Sequence, residues 1–253
     1  MILGAQLFTI RDYIQNERDF ERSIKKISDI GYTTVQISGL GGGIKTERIR
    51  EICDKHGLKI VLTHVGADRI LHDTDKLIEE HNILGCDYIG LGMMPDKYIS
   101  DYWFQYFVED FQEPIKKIAA SGKLFMYHNH NFEFEKMKEG RIIERLLDAF
   151  PPEELGITLD TYWIQAAGAD VLEWIKILKD RIPCVHLKDM TVKGFEQRFA
   201  PVLEGNMNFP AIFEALKETN AKYLLVEQDN SYGENPFDCL EKSYKNCIEC
   251  GLR

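Results

Sequence analysis

The chain has 253 residues, 44% of them hydrophobic, with 41 acidic and 31 basic side chains and a net charge of −10. This composition supplies a sizeable core, excludes a disordered chain and lacks the basic footprint of a nucleic-acid surface, while a locally basic site for a phosphorylated substrate stays compatible with it. The opening MILGAQLFTIRD meets a charge too soon for a signal peptide, and no run approaches the ~20 apolar residues of a membrane span, so a soluble cytoplasmic protein without nucleic-acid or membrane partners is expected.

The first apolar run, ILGAQLF (2–8), predicts a strand. Behind it, FERSIKKISDIGY carries Phe20, Ile24, Ile27 and Ile30 at helical spacing, with Gly31 as its stop. TTVQIS (33–38) is the second strand; GLGGGIK (39–45) after it lacks the Gly-Lys-Ser/Thr of a phosphate loop and reads as a flexible loop. RIREICDKHGL is helical and ends at Gly57. KIVLTHV (59–65) and YIGLGM (88–93) are the third and fourth strands. FVEDFQEPIKKIAASGK is helical, and Pro114 inside it predicts a kink or a restart. LFMYHN (124–129), GITLD (156–160), PCVHLK (183–188) and YLLVEQ (223–228) complete the strands. MTVKGFEQRFAPVLEGNMNF (190–209) reads as a loop, and AIFEALKETN and CLEKSYKNCIECG as helices. The six cysteines read as buried thiols; Cys247 and Cys250 form a lone C-x-x-C inside a helical pattern, with no second pair to support a zinc or redox role.

Several of these strands are nearly continuous apolar runs, as strands buried on both faces of a parallel sheet require. Eight strand–helix units in 253 residues predict a (β/α)8 TIM barrel, one α/β domain spanning 1–253. A doubly wound open sheet is the alternative. Against it, TIRDYIQ and not a glycine-rich turn follows the first strand.

Barrel chemistry gathers at the C-terminal ends of strands. The polar residues there are Gln6 and Arg11, Gln36, His64, then His128, His130 and Glu133, then Asp160, His186, Lys188, Glu227, Gln228 and Asp229. Glu133, Asp160, His186 and Glu227 are 27, 26 and 41 residues apart; the first two gaps match one βα repeat, and the 190–209 loop accounts for the third. Three carboxylates and an imidazole suit one divalent metal ion: Mn, Mg, Co or Zn. Grouping these charges without a cation would cost several kcal/mol. Singly, each residue has a structural reading: Asp160 as a helix N-cap, His186 as a satisfied core histidine, Glu227 as a partner of Lys188. Four such readings at four consecutive strand ends are a poorer account than one shared site.

GAQLFTIRD, YHNHNFEFE, LDTYWIQAAGAD, VHLKDM, EGNMNFPAI, VEQDNS and EKSYKN, in this order over nearly the whole chain, resemble the sugar phosphate isomerase/epimerase superfamily, the xylose isomerase-like TIM barrels of AP endonuclease 2-type fold. The resemblance implies a divalent metal held by Glu, Asp, His and Glu at the ends of strands five to eight. Asp160, His186 and Glu227 match that pattern. At the fifth strand, His128 stands where many members have the glutamate, and Glu133 comes five positions later. Either Glu133 folds back to complete the site or His128 replaces it. Leu203 stands where related sequences often have glycine. The DNA-repair endonuclease branch fits poorly, because it needs more ligands and an acidic chain suits DNA badly.

The chemistry implied is isomerisation or epimerisation of a sugar or keto-polyol, by proton abstraction next to a metal-bound carbonyl through an enediolate. Glu133 and Glu227 are the candidate acid/base pair, with His130 as base if Glu133 is only a ligand. Gln6, Gln36, His64, His128 and Lys188 are candidates to bind hydroxyl or carboxylate groups, and Arg198 to meet a charged or polyhydroxylated substrate. Trp103 and Trp163 are candidates to stack on an apolar sugar face, against the commoner core or interface role. Two alternatives stand beside this: a metal-dependent dehydratase acting on a similar keto-polyol (inosose dehydratase-like), and a non-catalytic sugar-binding barrel. The sequence leaves a homo-oligomer open.

Overall fold

A computed structural model describes residues 1–252. Ten strands form: β1 (Ile2–Gln6), β2 (Thr34–Ile37), β3 (Lys59–Val65), β4 (Tyr88–Leu91), β5 (Leu124–His128), β6 (Leu155–Asp160), β7 (Cys184–Leu187), β8 (Asp189–Lys193), β9 (Glu196–Ala200) and β10 (Tyr223–Val226). Eight of them close a parallel barrel in the order β1-β2-β3-β4-β5-β6-β7-β10, and β10 pairs back onto β1. This is a TIM barrel, with all eight predicted strands in their expected order. Every residue of β2, β6, β7 and β10 is buried, which is why these strands read as near-continuous apolar runs.

The helices pack an apolar stripe against the outside of the barrel. In Glu17–Ile30, Phe20, Ile24 and Ile27 are buried, the Asn16 side chain accepts from the Asp19 N–H, and Gly31 ends the helix at φ +121°. Phe104–Ala120 runs unbroken through Pro114, so the restart expected there does not occur; Pro114 is buried on the same face as Phe111, Ile115 and Ile118. Among the described residues no helix is long and apolar enough to cross a membrane. Cys247 is a buried thiol and Cys250 an exposed one; neither is in a disulfide.

The stretch 190–209 differs from expectation. β8 and β9 form an antiparallel hairpin joined at Gly194 (φ +63°) and Phe195, and only the remainder is loop. Asp189 ties that loop down. Its buried carboxylate accepts from the N–H groups of Met190 (2.7 Å), Leu203 (2.9 Å), Gly205 (3.0 Å) and Met207 (3.3 Å). A Cβ at Gly205 would run into Asp189 Oδ1. Leu203 holds φ +71°, a conformation that favours glycine, and the Asp189 bonds keep the loop closed around it.

Candidate active site

β5, β6, β7 and β10 bring His128, Asp160, His186 and Glu227 to one rim. His128 and Asp160 are the last residues of their strands, and Asp160 is in register with His186. All four are buried, and one ligand atom from each lies within 4.8 Å of the others. The structural role expected of Asp160 is also present: its Oδ1 accepts from the Trp163 N–H (3.0 Å) and caps Thr161–Ala166.

The protons on the two imidazoles carry the electrostatic argument. His128 Nδ1 faces the Gly92 carbonyl at 2.9 Å, so this nitrogen donates. That leaves Nε2, 3.1 Å from Asp160 Oδ2, without a proton in the neutral ring. Burial first, then neighbouring His186, pushes His128 toward that neutral form against the pull of Asp160. His186 mirrors it. Its Nε2 donates to Gln36 Oε1 (2.7 Å), and Nδ1 points at Glu227 Oε2 (2.9 Å) and Asp160 Oδ2 (3.7 Å). Burial lowers His186, but Glu227 and Asp160 outweigh it and raise it overall. Neither His186 Nδ1 nor Glu227 Oε2 has an aligned hydrogen-bond partner. Two ring nitrogens thus face two carboxylate oxygens in a buried site, an arrangement that a second proton on His186 or one divalent cation satisfies.

Glu133, expected as the fifth-strand member, lies outside this group, and His128 is the residue that β5 brings to it. The 3-10 turn Phe132–Phe134 directs the Glu133 carboxylate back beneath the strand end. Oε1 accepts from Tyr127 Oη–H (2.7 Å) and Oε2 from the His130 N–H (2.8 Å). It is fully buried, and burial pushes it up to about 8 despite these donors. The acid/base pair of Glu133 and Glu227 is therefore not formed across the cavity.

Lys188 fills the remaining side of the group. Its Nζ is 3.1 Å from Asp160 Oδ2, 2.9 Å from Glu227 Oε2 and 3.0 Å from Asp229, where Oδ2 accepts an aligned hydrogen bond. Burial opposes its charge, but the three carboxylates hold it well above the usual lysine range. Burial also pushes Asp160 and Glu227 up, yet Lys188 and the histidines hold both well below the ordinary carboxylate range. Asp229 goes the other way, up to about 7, through burial and then Glu227. The sequence places Asp229 at a strand end without a role; its role comes from this shared burial.

A cavity of about 400 Å³ opens above the group. Gln6, His64, His128, His130, Lys188 and Asp229 line its polar side, Phe8, Val65 and Met93 its apolar side. Gln6 Nε2 donates to Glu227 Oε1 (3.0 Å). His130 is neutral, pushed down to about 3 by burial and then by His128, and its Nδ1 has no partner. His64 is held well below its ordinary value for the same two reasons.

Three expected binding residues sit elsewhere. Gln36 is fully buried behind His186 and does not line the cavity. Arg198 is on β9, paired with Glu196 (2.7 Å) and stacked over the Tyr232 ring, and does not line the cavity. Trp103 is 53% exposed and packs on Tyr102 and Tyr106, whereas Trp163 lies against the His130 ring at 5.2 Å. The Gln36 placement has a measurable consequence. Gln36→Leu removes the acceptor that fixes the His186 tautomer, so divalent-metal affinity, read by calorimetry, is expected to fall about 10- to 100-fold with the fold intact.

The model of a family described as "Xylose isomerase-like TIM barrel" matches residues 24–245. An inosose dehydratase of Clostridium perfringens (strain 13 / Type A) is 27% identical over 154 residues, covering 53% of this chain and 51% of that protein. The match thus spans about half the length of this curated relative. Among solved structures, a sugar phosphate isomerase/epimerase from Parabacteroides distasonis superposes with a TM-score of 0.81 at 23% identity, over 98% of this chain and 97% of the other. An L-ribulose 3-epimerase superposes with a TM-score of 0.76 at 16% identity, over 100% and 95%. At these identities the structures establish the shared fold.

Proposed function

Since the chain belongs to the xylose isomerase-like TIM barrel family, we propose that it is a divalent-metal-dependent isomerase or epimerase of a small, unphosphorylated sugar or keto-polyol. The observation that carries the reading is the pair of imidazole nitrogens aimed at two carboxylate oxygens on the cavity floor. His128, Asp160, His186 and Glu227 would hold the metal. Two imidazoles and two carboxylates are a softer set than one imidazole and three carboxylates, and favour Zn, Co or Mn over Mg. The ion, when bound, supplies Lewis-acid stabilisation of negative charge developing on substrate oxygens.

The chain's own residues do the rest. Gln6 orients Glu227, and Gln36 orients His186. His130 is the candidate base by position, since its Nδ1 is unpartnered and it lines the cavity; burial, which takes it down to about 3, keeps it neutral but makes it a weak base. Glu133 acts behind it as a positioning residue, holding the His130 backbone N–H. Asp229, at about 7 and on the same cavity, is suited to return a proton near neutral pH. Gln6 and His64 offer hydrogen bonds to hydroxyls, and Phe8, Val65 and Met93 offer an apolar face for a sugar ring. Lys188 is the one cation lining the cavity among the described residues, and three carboxylates surround it. That charge balance supports an uncharged substrate over a sugar phosphate.

A second reading, dehydration of a similar keto-polyol, is favoured by the likeness to inosose dehydratase. It shares the proton abstraction and differs in expelling hydroxide. Incubation of the metal-loaded protein with keto-hexoses and inososes in D2O separates them. Carbon-bound deuterium without net loss of water is the expected result. Net water loss, read as a new unsaturated-ketone absorbance, would replace this reading with the second.

A further inference from the structure

Lys188 is buried among the same oxygens that a metal would use. Its Nζ is 3.1 Å from Asp160 Oδ2, the atom that His128 Nε2 and His186 Nδ1 also approach, and 2.9 Å from Glu227 Oε2, the atom that His186 Nδ1 faces. Two unit charges at this separation in a buried site interact strongly, and a divalent ion on the same oxygens repels an ammonium within a few ångströms. The geometry also gives the ammonium somewhere to go. Its one aligned hydrogen bond is to Asp229 Oδ2, and Asp229 is outside the four-residue group. The contacts to Asp160 and Glu227 are ion pairs without aligned hydrogen bonds.

We infer that Lys188 and the divalent cation compete for Asp160 Oδ2 and Glu227 Oε2, so that Lys188 is the site's resident counter-charge and limits its metal affinity. The inference rests on the metal reading above and adds to it a residue outside the ligand set. Metal loading then draws the ammonium off the two ligands and onto Asp229, at the cavity wall that both residues line.

Lys188→Met removes the competitor. Lys188→Met combined with Asp229→Asn removes it together with the carboxyl group it hydrogen-bonds, so neither partner of that bond is left alone and folding of the chelator-treated protein is protected. Zn²⁺ and Mn²⁺ titrations by calorimetry, with thermal melting of the metal-free proteins alongside, read the result. The expected outcome is at least tenfold tighter metal binding in both variants than in the natural protein. For Lys188→Met alone, a lower melting temperature without metal is also expected. Equal or weaker binding in the double variant overturns the inference and leaves the metal reading standing. Absence of binding in all three proteins overturns both.

Discussion

Asp160→Asn is expected to keep the fold at reduced stability while losing at least about 10³-fold in divalent-metal affinity, since even groups behind a ligand are worth 10–100-fold. Turnover falls with it. The two effects separate because the two carboxylate oxygens do different work. Oδ1 caps the helix Thr161–Ala166 through the Trp163 N–H, and an amide oxygen keeps that bond. Oδ2 is where His128 Nε2, His186 Nδ1 and Lys188 Nζ converge. An amide NH2 there can donate to His128 Nε2, but it faces the Lys188 ammonium donor against donor. Each buried ion carries a desolvation cost of several kcal/mol. The folded protein favours the charged form of Asp160, however, so losing it costs the metal-free protein some stability, while Glu227 and Asp229 remain beside Lys188. Asp160→Ala keeps neither oxygen and costs about 1 kcal/mol more for the lost cap. Calorimetric metal titration with thermal melting of both variants checks this. An Asp160→Asn protein that binds Zn²⁺ or Mn²⁺ like the natural one would remove Asp160 from the ligand set.

What the sequence discloses follows from what is local. The strands of a parallel barrel are buried on both faces, so runs such as YLLV and LGITLD declare themselves, and the polar residue closing each run marks the rim. Asp160, His186 and Glu227 are legible for that reason. Glu133 is not, because its direction is set by the turn Phe132–Phe134, which sends its carboxylate to Tyr127 and the His130 backbone. The β8–β9 hairpin resembles loop in the sequence because most of its residues are exposed or half-buried, and its anchor, Asp189, bonds backbone up to 18 residues further on. Arg198 goes with the hairpin, where Glu196 and Tyr232 hold it. The pairing of Lys188 with Glu227 is legible, but its further contacts to Asp160 and Asp229 have no sequence signature, since they arise from carboxylates and an ammonium that separate strands bury together.

Glu133→Gln is expected to flatten the pH dependence of stability while leaving metal affinity unchanged. In the folded protein burial holds Glu133 at about 8, against 4.5 for the free side chain. A buried acid with a raised value keeps its proton where the unfolded chain has lost it. The contribution of this group is therefore fully present below about pH 4.5 and is lost as pH rises toward 8, at ~1.4 kcal/mol for each pH unit. The amide carries no charge at any of these values, so the variant's stability is expected to stay level where that of the natural protein declines by several kcal/mol. The amide also fits the space: its oxygen accepts from the His130 N–H, and its NH2 turns to Tyr127 Oη, whose hydroxyl oxygen then accepts. Asp229 titrates in this range too, but it is common to both proteins and cancels in the difference. Urea midpoints at pH 5, 6, 7 and 8 measure that difference. Parallel slopes would show Glu133 ionised throughout, and a variant that fails to bind metal would return Glu133 to the ligand set in place of His128.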